Sequence, residues 1–122
     1  ERVAQYLVVV YDRERTDGPP VEPGTVARTM GRSPSATTEM LQRLADDGLV
    51  DYEPYEGVTL TDAGASDELY DTYRTLSAFF EEVLELDAPE REARAVVDTV
   101  SPTVADRLDD LLLDGDESVP AQ

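Results

Sequence analysis

The sequence predicts a mainly α-helical chain interrupted by one small β-hairpin, and three observations carry that expectation. Apolar residues recur at helical spacing over most of the 122 residues. The period changes to two only across Leu49–Leu60, on either side of Pro54-Tyr55-Glu56-Gly57. Charge is distributed unevenly. Ten basic residues, all Arg, stand against 28 carboxylates for a formal net charge of −18, yet Thr25–Arg43 holds three Arg and one Glu. The strongest acid excess lies beyond the hairpin, where residues 61–122 carry four Arg and seventeen acids.

Taken in order, "VAQYLVVVYDRERTDGPP" opens the chain with apolar residues on nearly every side and stops at Gly18-Pro19-Pro20. Its Val8-Val9-Val10 run suits a helix or a strand equally. "EPGTVARTMG" predicts a short helix with Val26, Ala27 and Met30 inward and Gly31 as its stop. Ser33 is a good N-cap, and Pro34 fits the first helical position, where its missing N–H costs nothing. Ala36, Met40, Leu41 and Leu44 then mark the apolar stripe of a third helix that Gly48 closes. After the hairpin, Thr61 is expected to cap a long helix through Leu86, with Leu69, Tyr73, Leu76, Phe79, Phe80, Val83 and Leu84 as its stripe. Pro89 and the Ser101-Pro102 step each start a further helix. Ala93, Val96 and Val97 mark the first of these, and Val104, Leu108, Leu111 and Leu112 the second.

Helix, short helix, tight turn, helix, hairpin is the element order of a winged helix-turn-helix. Two helices that bury a shared face leave the outer face of the second one free. Residues 1–61 are accordingly expected to form a DNA-binding winged helix-turn-helix, 62–113 a helical dimerisation region and 114–122 a flexible acidic tail. The expected outer face carries Ser33, Ser35, Thr37, Thr38 and Gln42, small or polar side chains that let the backbone approach base edges and donate to phosphate. Arg28, Arg32 and Arg43 flank it as phosphate grips or bidentate forks, and Tyr55 and Glu56 form the wing tip. Caps and solvated arginines are each commonplace. Their weight comes from the hairpin that follows and from the drop in acid density at this one place.

Several classes of function are excluded or disfavoured. With no Cys there is no disulfide, thiolate chemistry or Cys-ligated zinc, and with no His and no Lys the usual general bases are absent, so an enzyme is not expected. No apolar run approaches a membrane span and no signal peptide is visible, which makes the cytoplasm the default location and a membrane partner unexpected.

"VARTMGRSPSATTEMLQRLADDGLVDYEPYEGVTLTDAG" resembles the DNA-binding half of the diphtheria-toxin-repressor family of iron- and manganese-dependent regulators. "LADDGLV", the wing "YEGVTLTDAG", "FFEEVLEL" and "VSPTVADRL" carry the likeness over about Glu1 to Leu113. The resemblance implies a helical first element, a homodimer built through the helices after the wing, and double-stranded DNA as partner. Leu76, Phe79, Phe80, Val83, Leu84, Leu108 and Leu111 are the dimer candidates, with intradomain core as the competing use of the same stripe. The metal ligands that the resemblance implies transfer badly. They fall on Glu1, Ala4, Tyr73, Arg94, Val97 and Asp98, a set too poor in oxygen and nitrogen donors for manganese or iron. No metal cofactor is therefore expected, with a Mn- or Fe-dependent repressor on rearranged carboxylates as the alternative. A winged-helix protein-interaction module is a second alternative.

The absence of Lys and the dense carboxylates resemble the composition of haloarchaeal proteins, and the chain is similar in kind to haloarchaeal stress regulators. Carboxylates hold hydrated salt cations at the surface, while self-repulsion is screened because the Debye length is only about 3 Å at 1 M salt. A local basic face can then meet DNA despite the total charge.

Overall fold

A computed structural model of the chain describes residues 2–65 and 67–121, with side chains through Leu113. The element order is α1 (Val3–Asp17), α2 (Pro23–Met30), α3 (Pro34–Asp46), β1 (Val50–Glu53), β2 (Gly57–Leu60), α4 (Asp67–Glu82), α5 (Pro89–Val96) and α6 (Pro102–Ala121). These fall into two compact units, Glu1–Ser66 and Asp67–Gln122. The expected class, mainly α with one β-hairpin, is the one found. Among the described residues no helix is long and apolar enough to cross a membrane.

In the first unit α1 is helical through the valine run. Tyr6, Leu7, Val8, Val9 and Val10 are all buried, five consecutive residues that sweep the whole helix circumference. That is why α1 reads as apolar on every side. It packs on α2 and β2, and the Glu14 carboxylate reaches across to accept the Leu60 N–H at 2.7 Å. The hairpin is antiparallel with Val50 opposite Leu60 and Glu53 opposite Gly57. A third backbone segment joins it, since Val21 and Val58 exchange N–H···O bonds of 2.8 Å in both directions. The wing is thus anchored near its turn end to the loop between α1 and α2, a pairing the sequence pattern does not announce.

Thr61 does not cap the long helix. Its hydroxyl donates to the Gly48 carbonyl at 2.6 Å and accepts from the Gly64 N–H at 3.2 Å, closing a separate turn before α4 begins at Asp67. The far end of α4 also comes earlier than Leu86. Val83 and Leu84 both donate to the Phe79 carbonyl, Leu86 donates to the Phe80 carbonyl, and Glu85 takes a left-handed φ of 55°, which ends the helix.

In the second unit α4 packs on α5 and α6. Tyr70, Tyr73 and Leu76 of α4, Ala93 and Val97 at α5, and Ala105 of α6 are buried. Ser101 caps α6 by accepting the Val104 N–H at 3.2 Å, as Ser-Pro spacing predicts. The inward side of α6 is Ala105, Leu108 and Leu112, at i, i+3 and i+7, while Val104 and Leu111 face solvent. The helical backbone of α6 runs on to Ala121, past residue 114 where a tail is expected.

Candidate nucleic-acid interface

The turn between α2 and α3 is built by local chemistry. Gly31 sits in the left-handed region at φ 67°, ψ 35°, where a side chain would be strained. It lets the Arg32 N–H return to the Ala27 carbonyl at 3.0 Å. Ser33 accepts the Ala36 N–H at 3.1 Å and Pro34 fills the first helical position, so only three residues separate α2 from α3. Val26 and Ala27 of α2 are buried, as are Leu41 and Leu44 of α3, and the two helices pack together. That fixes which face of α3 is left outside.

Ser35 and Gln42 are exposed and Thr38 half-buried; at i, i+3 and i+7 they share one face of α3. Ser33 is exposed, with its oxygen engaged in the cap and its O–H still able to donate. Arg28, Arg32 and Arg43 are exposed around this face. Arg28 is held over α2 by a 3.3 Å bond to the Thr25 hydroxyl. Among the described residues neither Arg28 nor Arg32 enters an ion pair, whereas Arg13 and Arg74 are bound to Asp17 and Asp71. At the wing tip Tyr55 is fully exposed at 102% and Glu56 is exposed.

One residue of the expected face is misplaced. Thr37 is 0% exposed and belongs to the α3 core, because it lies four and seven residues before Leu41 and Leu44 on their stripe. It cannot touch DNA from there. Its hydroxyl has no hydrogen-bond partner among the described residues. A buried, unpaired hydroxyl costs stability that a methyl group in its place does not. Thr37→Val is accordingly expected to raise the unfolding free energy by about 1 kcal/mol while leaving DNA affinity unchanged. Chemical unfolding at fixed KCl measures the first and a binding isotherm the second. A less stable variant would mean that the hydroxyl does find a partner.

Leu76 is a second correction. At 1% exposure it is core of its own unit and has no surface to offer another chain. Of the other dimer candidates, Val83, Leu84 and Leu111 are 52%, 50% and 57% exposed, and Phe79, Phe80 and Leu108 are half-buried. Sequence spacing also passed over Arg2. It lines one cleft with Arg32 and Arg43, although it stands thirty residues away in the chain.

The positions that the resemblance gives to metal ligands do not form a donor set. Tyr73 and Val97 are buried, Arg94 and Ala4 half-buried, Asp98 exposed, and Glu1 lies outside the described residues. Valine and alanine donate nothing, and an arginine opposes any cation. Among the described residues no three Asp or Glu side chains are grouped to hold a metal ion. Manganese or iron does not suit these side chains.

The sequence model for the iron dependent repressor, N-terminal DNA binding domain, matches residues 1–58. The uncharacterized HTH-type transcriptional regulator MJ0568 of Methanocaldococcus jannaschii is 30% identical over 112 residues, covering 88% of this chain and 90% of that protein. Among solved structures, the manganese regulator SloR superposes with a TM-score of 0.70 at 28% identity. It matches over 90% of this chain and 53% of its own. A manganese-dependent transcriptional repressor in complex with manganese gives 0.71 at 30% identity, over 90% and 52% of the two chains. The chain thus spans about half the length of these solved regulators. A Sulfolobus solfataricus protein shares the fold at a TM-score of 0.53 and 20% identity, with 87% of its length covered.

Proposed function

Because the chain belongs to the iron-dependent-repressor family of winged-helix transcription regulators, we propose that it acts as a homodimer on palindromic promoter DNA, at high salt and without a metal switch. The carrying observation is the outer α3 face, with Ser35 and Gln42 exposed and Thr38 half-buried between them. Arg28, Arg32 and Arg43 border it in a segment that is net basic inside a chain of net −18. A single module covers only about 600–1,000 Å² on DNA, so specific affinity favours two copies on half-sites about 34 Å apart. Base edges are read by Ser35, Thr38 and Gln42; the arginines and the wing tip with Tyr55 and Glu56 meet the backbone. Metal independence is supported by the side chains at the expected ligand positions. High-salt operation, in a cytoplasm of haloarchaeal type, is supported by the acidity and the missing Lys.

Binding to ordinary DNA-binding proteins weakens steeply with salt because phosphate contacts release cations. An acidic dimer instead retains cations between its carboxylates and the phosphates, and its salt slope is flat or reversed. The test is affinity for the protein's own promoter region in KCl from about 0.5 to about 3 M, with and without added Mn²⁺ or a chelator. Tight binding that persists and ignores both additions is the expected result. Binding that appears only with Mn²⁺ favours the metal-dependent reading, to which the likeness to solved manganese regulators lends weight. Absence of binding at every salt concentration favours the protein-interaction module.

A further inference from the structure

Beside α3 lies a cleft of about 360 Å³ whose walls come from two elements far apart in sequence. Arg2 and Tyr6 line it from the start of α1. Arg32 lines it from the turn before α3, and Glu39, Met40 and Arg43 from α3 itself. Three of the chain's ten arginines therefore meet here, and Glu39 is the one carboxylate lining the cleft among the described residues. In a chain with 28 carboxylates, a cleft lined by three arginines and one glutamate is a net basic place suited to an anion. The Arg2 backbone is fixed, since its carbonyl accepts the Tyr6 N–H at 3.1 Å, and its exposed side chain makes no capping bond to α1.

We propose that Arg2 closes a three-arginine clamp, with Arg32 and Arg43, on one backbone phosphate of the bound DNA. The proposal rests on the DNA-binding reading above and adds a contact from α1 to it. A phosphodiester offers two non-bridging oxygens, which guanidinium forks engage in a bidentate manner. The duplex is favoured over a free anion because Arg32 and Arg43 also border the α3 face. An anion seated between them and Arg2 lies alongside the groove that α3 enters. Such a contact fixes the register of the protein on the duplex and carries no sequence information.

The test compares Arg2→Ala, Arg2→Lys and Arg2→Glu with the unsubstituted protein and with Arg43→Ala. Fluorescence anisotropy is read on the promoter duplex and on a scrambled duplex of equal length, each across a range of KCl. Arg2→Ala is expected to weaken both duplexes by the same factor, about five- to tenfold. It is also expected to shift the slope of log K against log[KCl] in the positive direction by less than the ~0.9 of a whole phosphate contact, because Arg32 and Arg43 still hold the same phosphate. Arg2→Lys keeps the slope, Arg2→Glu loses more affinity than Arg2→Ala, and the unfolding midpoint of all three stays put. If Arg2→Ala matches the unsubstituted protein in affinity and slope while Arg43→Ala weakens binding, the clamp is wrong and the DNA-binding reading stands. If the unsubstituted protein binds neither duplex at any KCl, the DNA-binding reading fails and the clamp fails with it.

Discussion

Gly64→Val is expected to destabilise the first unit by about 3 kcal/mol and to lower the thermal midpoint by on the order of 10 °C. The cause is a close approach of two backbone segments. A Cβ placed on Gly64 collides with the Leu49 carbonyl oxygen and lies 2.9 Å from the carbonyl carbon, so backbone must move. That carbonyl already accepts the Thr61 N–H at 3.1 Å. Gly64 itself donates to the Thr61 carbonyl at 3.0 Å, and Thr61 is tied to Gly48. Pushing the segments apart strains two hydrogen bonds that fasten the exit of the hairpin to the end of α3 and a third that closes the 61–64 turn, each contributing about 1 kcal/mol. Against a total stability of about 5–15 kcal/mol the loss is large. Gly24→Ala is the matched control. The nearest atom to its added Cβ is the tip of the Arg28 side chain at 3.5 Å, in ordinary contact, and the position is helical. It is expected to be neutral or to stabilise by about 0.5–1 kcal/mol. Thermal unfolding followed by circular dichroism at one KCl concentration compares the two. If Gly64→Val melts within a degree or two of its parent, the Leu49–Gly64 approach is not a constraint in solution.

The same junction separates what the sequence announces from what it does not. Gly31, Ser33 and Pro34 act through bonds spanning a few residues, so their helix-stop and helix-start chemistry is readable directly, and the structure places them as read. The hairpin is equally local, since its period and turn residues lie within twelve positions. Thr61 looked like one more cap because its side chain is of the right type. Its actual partner, the Gly48 carbonyl, lies thirteen residues back, and no local pattern encodes that. The place of Thr37 is legible in the sequence by its spacing. Its hydroxyl suggested a DNA contact, but its spacing to Leu41 and Leu44 puts it on the buried stripe, and helical periodicity outranks side-chain polarity there. The pairing of Val21 with Val58 and the convergence of Arg2 on Arg32 and Arg43 are products of tertiary folding alone. Overall charge is the most misleading global signal. A total of −18 argues against DNA, whereas what a phosphate meets within a screening length is the local balance, basic over Thr25–Arg43.

Leu84→Glu combined with Leu111→Glu is expected to convert the proposed dimer to a monomer of 13.4 kDa and to cut operator affinity by on the order of 100-fold or more. Each position is half or more exposed, so a single substitution perturbs the fold little, and glutamate is as good a helix former as the residues beside Leu111. Val83, Leu84, Leu86, Val104, Leu111 and Leu113 leave a concentration of large apolar side chains in water in the second unit, which is otherwise densely acidic. Covering them by a second copy removes apolar surface at about 25 cal/mol per Å², but it also brings together two chains of net −18. The balance is therefore set by salt. At about 0.1 M the Debye length is ~10 Å and the repulsion between subunits is felt, while at about 1 M it is ~3 Å and the apolar term dominates. Sedimentation across KCl is expected to show the unsubstituted protein passing from monomer to dimer as salt rises, with the double variant monomeric throughout. A double variant that remains dimeric at molar salt places the interface elsewhere. An unsubstituted protein that is monomeric there removes the two-fold symmetry, and with it the expectation of palindromic half-sites.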